Sequence, residues 1–277
     1  MAIRTKIINS FITIILSIVT IAWLTPIILV VINSFKGQFY ISESAFSLPT
    51  AETFVKFENY ITGNEAVGFV AAFWVSLKIT VLSVLVIIVF TSMTAWFITR
   101  VNNQGTRAIF YIIVASMIVP FQMIMYPMSQ IANRLHLDNS TGLIAIYLGF
   151  GAGLAVFMYS GFVKSIPLEI EESATIDGCN PIQLFFKIVF PVLKPISVTV
   201  AILNVMWIWN DYLLPYLLLV DERTIPCAVQ FLNGSYSNRD MGALMALLVL
   251  AIIPIIIFYF SCQKYIVKGV VAGSVKG

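Results

Sequence analysis

Six long apolar runs restrict what this chain can fold into more than any other feature of its sequence. They cover residues 11–34, 70–99, 108–131, 141–163, 192–219 and 243–264. Each is long enough for a helix to cross a bilayer core, which takes about 20 residues. Backbone groups in lipid must be hydrogen-bonded within their own segment, so such runs favour helices. The 277 residues are 60% hydrophobic and only 10% charged. We therefore expect an all-α membrane protein with six transmembrane helices in a single domain, residues 1–277.

The basic residues between these runs predict which side of the membrane each segment faces. With the N-terminus inside, ten basic residues fall on the inner side: Arg4, Lys6, Arg100, Arg107, Lys164, Lys187, Lys194, Lys264, Lys268 and Lys276. Five fall on the outer side: Lys36, Lys56, Arg134, Arg223 and Arg239. Lys and Arg favour the cytoplasm, and the first run is too long for a signal-peptide core. We expect a multi-pass protein of the inner or plasma membrane with both termini in the cytoplasm.

Lys78 lies in the second apolar run and is the one basic residue that this sorting assigns to neither side of the membrane. From Lys78 to Arg100 a helix would rise roughly 33 Å, which is about the thickness of a bilayer core. Lys78 therefore either reaches the outer headgroups from a helix that begins before it, or faces a pathway through the membrane. Pro120 and Pro127 leave a similar choice in the third run, because a proline kink serves either helix packing or a translocation path.

Polar residues interrupt the fifth run. Asn204, Trp207 and Asp211 are spaced i, i+3 and i+7, which places them on one face of a continuous helix. Two interpretations are open: a wall of a translocation path, or hydrogen bonding between helices with Asp211 near the outer interface. Beyond this run, Asn233-Gly234 predicts a turn in an outer loop, residues 223–240, that could contact a partner.

One part of the second half is too polar to lie in lipid, and we call residues 164–195 the acidic segment. Four of the chain's thirteen acidic residues occur in it within nine positions: Glu169, Glu171, Glu172 and Asp177. Pro167 suits the first turn of a helix, where the helix dipole also favours acidic residues, and Gly178 is a typical left-handed stop. Asn180, three residues before Gln183, indicates a second helix start with a capping box. We expect two short helices joined at Gly178.

Several kinds of chemistry are absent from the sequence. The dipeptide Gly-Lys does not occur, so the chain has no P-loop, and neither G-x-S-x-G nor H-E-x-x-H is present. Three cysteines without paired spacing and a single histidine, His136, support neither a disulfide framework nor a metal site. The net charge of +3 is too small to indicate nucleic acid. Apart from Asp211, the runs contain no acidic residue that could couple a carrier to protons or sodium. Energy must therefore come from a partner, and the acidic segment is the obvious place to receive it.

The acidic segment also contains a longer pattern. Glu172-Ser173-Ala174 is followed after three residues by Gly178, and after nine more by Ile188-Val189-Phe190-Pro191. This pattern resembles the EAA motif of ABC importer permeases, E-A-A-x3-G-x9-I-x-L-P, with Ser173 and Phe190 as the two departures. Other stretches are similar to the MalG-like carbohydrate permeases: Glu58-Asn59-Tyr60, Ile176 to Gly178, Trp209 to Tyr212, and the ending Gly269 to Gly277. The resemblance covers essentially the whole chain.

The resemblance implies a type I ABC importer permease fold and a set of partners. These are a second related permease, two cytoplasmic ABC ATPases that bind ATP and Mg²⁺, and an extracytoplasmic solute-binding protein. The chain itself would hold no cofactor and would not be an enzyme. Residues 167–178 would be a coupling helix docked in a cleft of an ATPase. The coupling residues would be Glu172, Ser173, Ala174, Asp177, Gly178 and Pro191. Of these, Glu172 and Asp177 would pair with basic groups, and the small Ser173 and Ala174 would allow close approach.

The same resemblance implies roles for the outer loop and for the C-terminal tail. The loop with Asn233 and Gly234 would contact the binding protein, and the tail residues Lys276 and Gly277 would approach the ATPases. The cargo would be a sugar, in particular a di- or oligosaccharide.

Other functions stay open at the level of sequence. Related permeases carry glycerol phosphate or polyols, and a phosphate cargo would favour basic side chains facing the path. A different class would be a self-sufficient channel or carrier, which transports without an ATPase. A third would be a membrane scaffold that transports nothing.

Overall fold

The regular secondary structure of this chain, over the residues that the structure describes, is helical. The computed structural model describes residues 2–234 and 240–274, with side chains over 8–232 and 240–264. In chain order the helices are α1 (Ala2–Asn33), α2 (Gln38–Glu43), α3 (Glu58–Val67), α4 (Phe69–Val101), α5 (Gln104–Ala115), α6 (Phe121–Arg134), α7 (Ser140–Val163), α8 (Leu168–Ile176), α9 (Pro181–Leu184), α10 (Phe190–Val192), α11 (Lys194–Asn210), α12 (Leu213–Leu218), α13 (Ile225–Gly234) and α14 (Met241–Ser274). A 3-10 turn occupies Ser116–Ile118 and a π-helical turn Phe185–Val189.

Four helical stretches in the described chain are long and apolar enough to cross a membrane by themselves: Ile8–Asn33, Phe69–Val101, Ser140–Val163 and Met241–Lys264. Two helix pairs qualify only when their members are counted together, and both are sharply bent. Residues 104–118 and 121–134 meet at 108°, and residues 181–192 and 194–210 meet at 77°. By length and composition, the described residues therefore hold four candidate spans, or up to six if each bent pair is one span.

The third predicted run is not one helix. The 3-10 turn follows α5, Val119 adopts an extended conformation, and Pro120 precedes the first residue of α6. Proline disfavours the helical conformation of the residue before it, and Pro120 has no N–H to continue the hydrogen bonds of the helix. The kink expected from the two prolines is thus a break next to Pro120, whereas Pro127 lies inside α6.

The fifth predicted run, residues 192–219, is also divided. Helix α11 ends at Asn210, and Asp211 is extended, with ψ 121°. Asp211 Oδ1 then accepts hydrogen bonds from the backbone N–H of Leu213 at 3.1 Å and of Leu214 at 3.5 Å. A carboxylate that satisfies the first free N–H groups of a helix favours a new start, so the chain begins α12 here instead of extending α11.

The chain divides into two compact units, one formed by residues up to 70 with residues 228–254 and the other by residues 71–227 with those from 255 onwards. In the first unit, Asn59 Nδ2 donates to the carbonyl oxygens of Ser34 and Lys36, each at 2.8 Å. Tyr60 Oη and Ser34 Oγ lie 2.8 Å apart. A Cβ on Gly242 would lie 2.6 Å from Asn59 Oδ1. The Asn and Tyr of Glu58-Asn59-Tyr60 therefore organise the turn after α1.

Lys36, one of the five basic residues predicted on the outer side, is completely buried in the first unit. Its Nζ donates to the carbonyl oxygen of Ser44 at 2.7 Å and to Ser47 Oγ at 3.3 Å. Both acceptors are neutral, so burial lowers the pKa of the Lys36 ammonium.

Helix α7 lies at the centre of the second unit. Its Tyr147 and Tyr159 are fully buried. A Cβ on Gly151 would lie 2.7 Å from Ile87 Cδ1 and 2.9 Å from Asn204 Oδ1. The absence of a side chain at Gly151 therefore allows α4 and α11 to pack closely against α7.

Lys78 connects two helices of the second unit. Helix α4 begins at Phe69, well before Lys78, as the first interpretation of this residue required. Lys78 Nζ donates to Ser140 Oγ at 2.8 Å, at the first residue of α7. This contact between α4 and α7 differs from both roles expected for Lys78, which were reaching the headgroups and facing a pathway.

Candidate functional site

The acidic segment folds into the two short helices that its sequence predicts. Helix α8 begins at Leu168, directly after Pro167, and ends at Ile176. The backbone N–H of Cys179 bonds to the carbonyl of Ala174, and that of Gly178 to the carbonyl of Thr175, each at 3.0 Å. This pair of bonds is the Schellman arrangement, and Gly178 has the required left-handed conformation, φ +87°. The predicted left-handed stop at Gly178 is confirmed.

The second helix start is also confirmed. Asn180 Oδ1 accepts from the backbone N–H of Gln183 at 2.9 Å, and Gln183 Oε1 accepts from that of Asn180 at 3.2 Å, which completes a capping box. Helix α9 then passes into the π-helical turn Phe185–Val189 before Pro191. Pro191 cannot donate a helical hydrogen bond, which accounts for the loosened turn ahead of it.

A buried ion pair holds α8 against the end of α4. Arg100 donates from Nε at 2.9 Å and from Nη2 at 2.6 Å to Glu171 Oε1, and from Nη2 to the carbonyl of Ile166 at 3.1 Å. Trp96 Nε1 donates to Glu171 Oε2 at 2.9 Å. Glu171 is only 5% exposed. Both of its oxygens are therefore satisfied by side chains of α4, and charge-assisted bonds of this kind are among the stronger ones in proteins.

Aromatic packing extends this connection to the π-helical turn. The ring centroid of Trp96 lies 5.5 Å from that of Phe185, which is fully buried. One side chain of α4 thus contacts both α8 and the turn that follows α9. The acidic segment is consequently attached to α4 at two places.

Helix α8 has two distinct faces. Glu171 and Ala174 face the rest of the chain, and Ala174 is only 7% exposed. The other seven residues of α8 are exposed, and among them Glu169, Glu172, Ser173 and Ile176 are spaced i, i+3, i+4 and i+7, which places these four in one continuous stripe. Ile176 is 86% exposed, an unusual position for an isoleucine in a short surface helix. The exposed stripe therefore offers two carboxylates beside an apolar side chain.

These faces change the role assigned to Ala174. The sequence interpretation placed both Ser173 and Ala174 at a partner surface, but only Ser173 is exposed. Ala174 is small because α8 packs closely on its own chain at that point. The other predicted coupling residues Glu172, Asp177, Gly178 and Pro191 are exposed.

Only two of the three polar residues of the fifth run, Asn204 and Trp207, lie on one helix face, because Asp211 follows the end of α11. Asn204 is buried against Gly151 of α7, and Trp207 packs edge-on against Tyr147 with ring centroids 5.4 Å apart. Asp211 lies beyond the end of α11, where its Oδ2 accepts from Tyr147 Oη at 2.9 Å. The expectation of a continuous face is wrong because the helix breaks at Asp211. All three residues contact α7, in line with the interpretation of contacts between helices.

The remaining predicted site residues lie near the ends of the described chain. Asn233 and Gly234 are in the last turn of α13, which runs from Ile225 to Gly234, so a helix precedes the expected turn. Lys276 and Gly277 lie outside the described residues.

Sequence reasoning missed three important residues. Glu171 is the acid whose carboxylate pairs with Arg100, but its spacing does not distinguish it from Glu169, Glu172 and Asp177; the other two residues are Trp96 and Tyr147. The opposite charges of Arg100 and Glu171, both predicted on the inner side, were the available signal. Trp96 and Tyr147 lie in apolar runs, where an aromatic residue carries no distinguishing pattern.

Comparison with known proteins identifies the family. A profile described as binding-protein-dependent transport system inner membrane component matches residues 95–272, which include the acidic segment and most of the chain. This multi-pass helical chain belongs to that family of transport permeases. Its relatives place it among the carbohydrate ABC importer permeases, which confirms the resemblance.

Three of those relatives align with this chain over nearly the whole length of both proteins. The chain is 38% identical to the probable starch degradation products transport system permease protein AmyC of Thermoanaerobacterium thermosulfurigenes, covering 98% of this chain and 97% of the relative. It is 37% identical to the multiple sugar-binding transport system permease protein MsmG of Streptococcus mutans, with 91% and 92% covered. It is 32% identical to the melibiose/raffinose/stachyose import permease protein MelC of Bacillus subtilis, with 100% and 99% covered.

The fold has a counterpart among solved structures. A chain of a bacterial ABC transporter involved in the import of the acidic polysaccharide alginate superposes with a TM-score of 0.80 at 24% identity, covering 94% of this chain and 96% of that one. The predicted fold class, an all-α membrane protein with the fold of an ABC importer permease, is confirmed.

Proposed function

We propose that this chain is one permease subunit of an ATP-driven importer and that α8 is its coupling helix. The observation that carries the proposal is the exposed stripe of α8, which joins two carboxylates to the 86% exposed Ile176. Such a surface suits a partner that offers basic side chains around an apolar pocket. In this family that partner is a cytoplasmic ATPase, which binds the ATP and Mg²⁺ that this chain has no loop to hold.

Force applied to α8 would pass directly to α4. The bonds from Arg100 and Trp96 to Glu171 give α8 little freedom to move without the end of α4. The Schellman stop at Gly178 fixes where α8 ends and the chain turns into α9. Closure of the ATPases would therefore move α4 and the helices packed on it, which is the coupling step we propose.

The proposed assembly follows the family. A second related permease would complete the path, two ATPases would bind on the cytoplasmic side, and an extracytoplasmic binding protein would deliver the cargo. The ten-to-five distribution of basic residues supports a cytoplasmic acidic segment and cytoplasmic termini. Helix α13, with Asn233 and Gly234 at its end, would face the binding protein, and the tail with Lys276 and Gly277 would approach the ATPases. Asn204, Trp207 and Asp211 would act on the path through their contacts with α7.

We propose a di- or oligosaccharide as the cargo. The printed names of the relatives concern starch degradation products, multiple sugars, and melibiose, raffinose and stachyose. A glycerol-phosphate cargo would require basic side chains along the path. Lys78, the basic residue predicted on neither side of the membrane, donates to Ser140 on α7. An uncharged sugar is therefore favoured over a phosphorylated one.

Reconstitution tests this function. Vesicles holding this chain, its partner permease and the ATPase, with binding protein outside, should take up labelled raffinose or maltotriose only when ATP is inside, and should ignore glycerol 3-phosphate. Glu172→Lys reverses the charge of the exposed stripe and should abolish uptake while the chain still inserts. Glu52→Lys, an equal charge reversal at an exposed residue between α2 and α3, is the matched control and should retain uptake. Uptake by this chain alone, without the ATPase, would show instead a self-sufficient channel or carrier.

A further inference from the structure

A basic cleft lies beside the acidic segment, at one end of three helices of the second unit. It has a volume of about 540 Å³, far more than the roughly 15 Å³ that one water needs. The end of α4, the start of α5 and the end of α7 surround it. Its polar lining includes Thr99, Arg100, Arg107, Tyr111, Ser160 and Lys164.

The charge of this basic cleft is unbalanced. Three of the residues that line it are basic and none is acidic. Glu171 neutralises Arg100 through the ion pair, but Arg107 Nε donates to a neutral acceptor, Asn102 Oδ1, at 3.0 Å. Lys164 is exposed. Two positive charges therefore lack a carboxylate, and the cleft favours an anion.

Two buried hydroxyl groups in the basic cleft lack hydrogen-bond partners. Ser160 is only 3% exposed, and neither its Oγ nor Thr99 Oγ1 has a partner. Elsewhere on α4, the hydroxyls of Thr91 and Ser92 donate to the carbonyl one turn back, whereas Ser83 Oγ also has no partner. A buried hydroxyl without a partner is unfavourable and calls for an explanation. Two free donors next to two unbalanced cations match a ligand with several anionic oxygens.

The position of the basic cleft indicates where such a ligand comes from. The three surrounding helix ends, at Val101, Gln104 and Val163, are ends of membrane-crossing segments. Tyr111, which is exposed on α5, has the amphipathic character of residues at a membrane–water boundary. Basic pockets between transmembrane helices at this level bind the headgroups of anionic lipids.

We propose that the basic cleft binds the phosphate group of an anionic phospholipid. Arg107 and Lys164 supply the charge, the hydroxyls of Ser160 and Thr99 donate to phosphate oxygens, and the acyl chains lie along the apolar surface of α5. The proposal does not depend on docking of α8 with an ATPase, since none of the phosphate-binding groups belongs to α8.

Lipid retention by the purified full-length chain tests this site. The chain in neutral detergent is incubated with phosphatidylglycerol or phosphatidylcholine, and bound lipid is counted by native mass spectrometry. A basic residue near an anionic lipid surface changes affinity by about fivefold. Arg107→Gln and Lys164→Gln should therefore each weaken phosphatidylglycerol binding about fivefold, and the double variant about 25-fold. Lys187→Gln, an exposed lysine of the acidic segment outside the cleft, is the matched control and should bind as the native chain does.

Two further measurements separate the alternatives. Ser160→Ala removes a hydroxyl without a partner, so it should not lower the melting temperature without lipid, but should reduce the stabilisation that phosphatidylglycerol adds. Inorganic phosphate at millimolar concentration should neither stabilise the chain nor displace the lipid. Equal retention of both lipids, or losses in the cleft variants no larger than in Lys187→Gln, would overturn the proposal. Phosphate binding that responds to the same variants in the absence of lipid would overturn the lipid source.

Discussion

Replacing Glu171 by glutamine removes the negative charge that joins α8 to α4 and keeps nearly the same side-chain volume. An amide oxygen can still accept from Trp96 Nε1, and Arg100 keeps its bond to the carbonyl of Ile166. With the amide oxygen towards Trp96, the amide nitrogen takes the place of Oε1, so the two guanidinium hydrogen bonds, at 2.9 and 2.6 Å, lose both their acceptor and its charge. The substitution therefore measures the ion pair with little change in packing.

The expected loss is about 1.5–3 kcal/mol of unfolding free energy, the range for hydrogen bonds to charged groups. Removing one partner of a fully buried ion pair costs about 3–5 kcal/mol, but the side chain of Arg100 is 20% exposed and can regain some hydration. The adjacent Glu172 is exposed and gives the matched control. Glu172→Gln should change the stability by no more than about 0.5 kcal/mol.

Unfolding of the purified chain by SDS in mixed micelles measures both values. A double-mutant cycle with Arg100→Gln isolates the pair, and we expect a coupling energy above about 1 kcal/mol. In the reconstituted importer, Glu171→Gln should also lower the sugar imported per ATP hydrolysed, because α8 moves with less constraint from α4. A coupling energy below about 0.5 kcal/mol, or a loss no larger than that of Glu172→Gln, would refute the role of the ion pair.

Three further predictions concern single side chains. Gly178→Ala should lower the free energy of unfolding by about 1 kcal/mol, as measured by thermal unfolding. The cause is the backbone angle φ of +87°, since a Cβ would meet no atom within 4 Å. Asparagine tolerates this conformation, so Gly178→Asn should cost less, and equal stability of all three forms would contradict the argument. Tyr147→Phe removes a donor to the Asp211 carboxylate and should lower the free energy of unfolding by about 1–2 kcal/mol. Tyr159→Phe breaks a bond between two neutral hydroxyls, those of Tyr159 and Ser197, and should lower it by about 0.6 kcal/mol. The reverse order in SDS unfolding would be inconsistent with these contacts. Burial lowers the pKa of Lys36 below the unfolded value of 10.5, so stability should rise as the pH increases through the folded-state pKa towards 10.5. Lys36→Met should abolish that rise, and an unchanged pH profile would show that Lys36 is not its source.

Local chemistry allowed several elements to be predicted from the sequence. A helix stop at Gly178 and a helix start at Asn180 depend on residues within one turn of each other, so residue type and spacing were sufficient. The location of the apolar runs depends only on length and composition, because lipid leaves the backbone no alternative to internal hydrogen bonds. The breaks next to Pro120 and at Asp211 were harder to predict, because proline and aspartate also occur inside helices that remain continuous.

The sequence by itself determined the class of the chain, the membrane-crossing character of its runs and the position of the acidic segment. Each of these depends on composition or on neighbouring residues. Only the tertiary structure decided which face of α8 is available to a partner, because Glu171 is buried by its bonds to Arg100 and Trp96, about 70 positions away along the chain. It also brought Arg107 of α5 and Lys164, the residue after α7, to one cleft. A surface formed by residues distant in sequence leaves no periodic pattern in the chain, so its position becomes known only when the helices are packed.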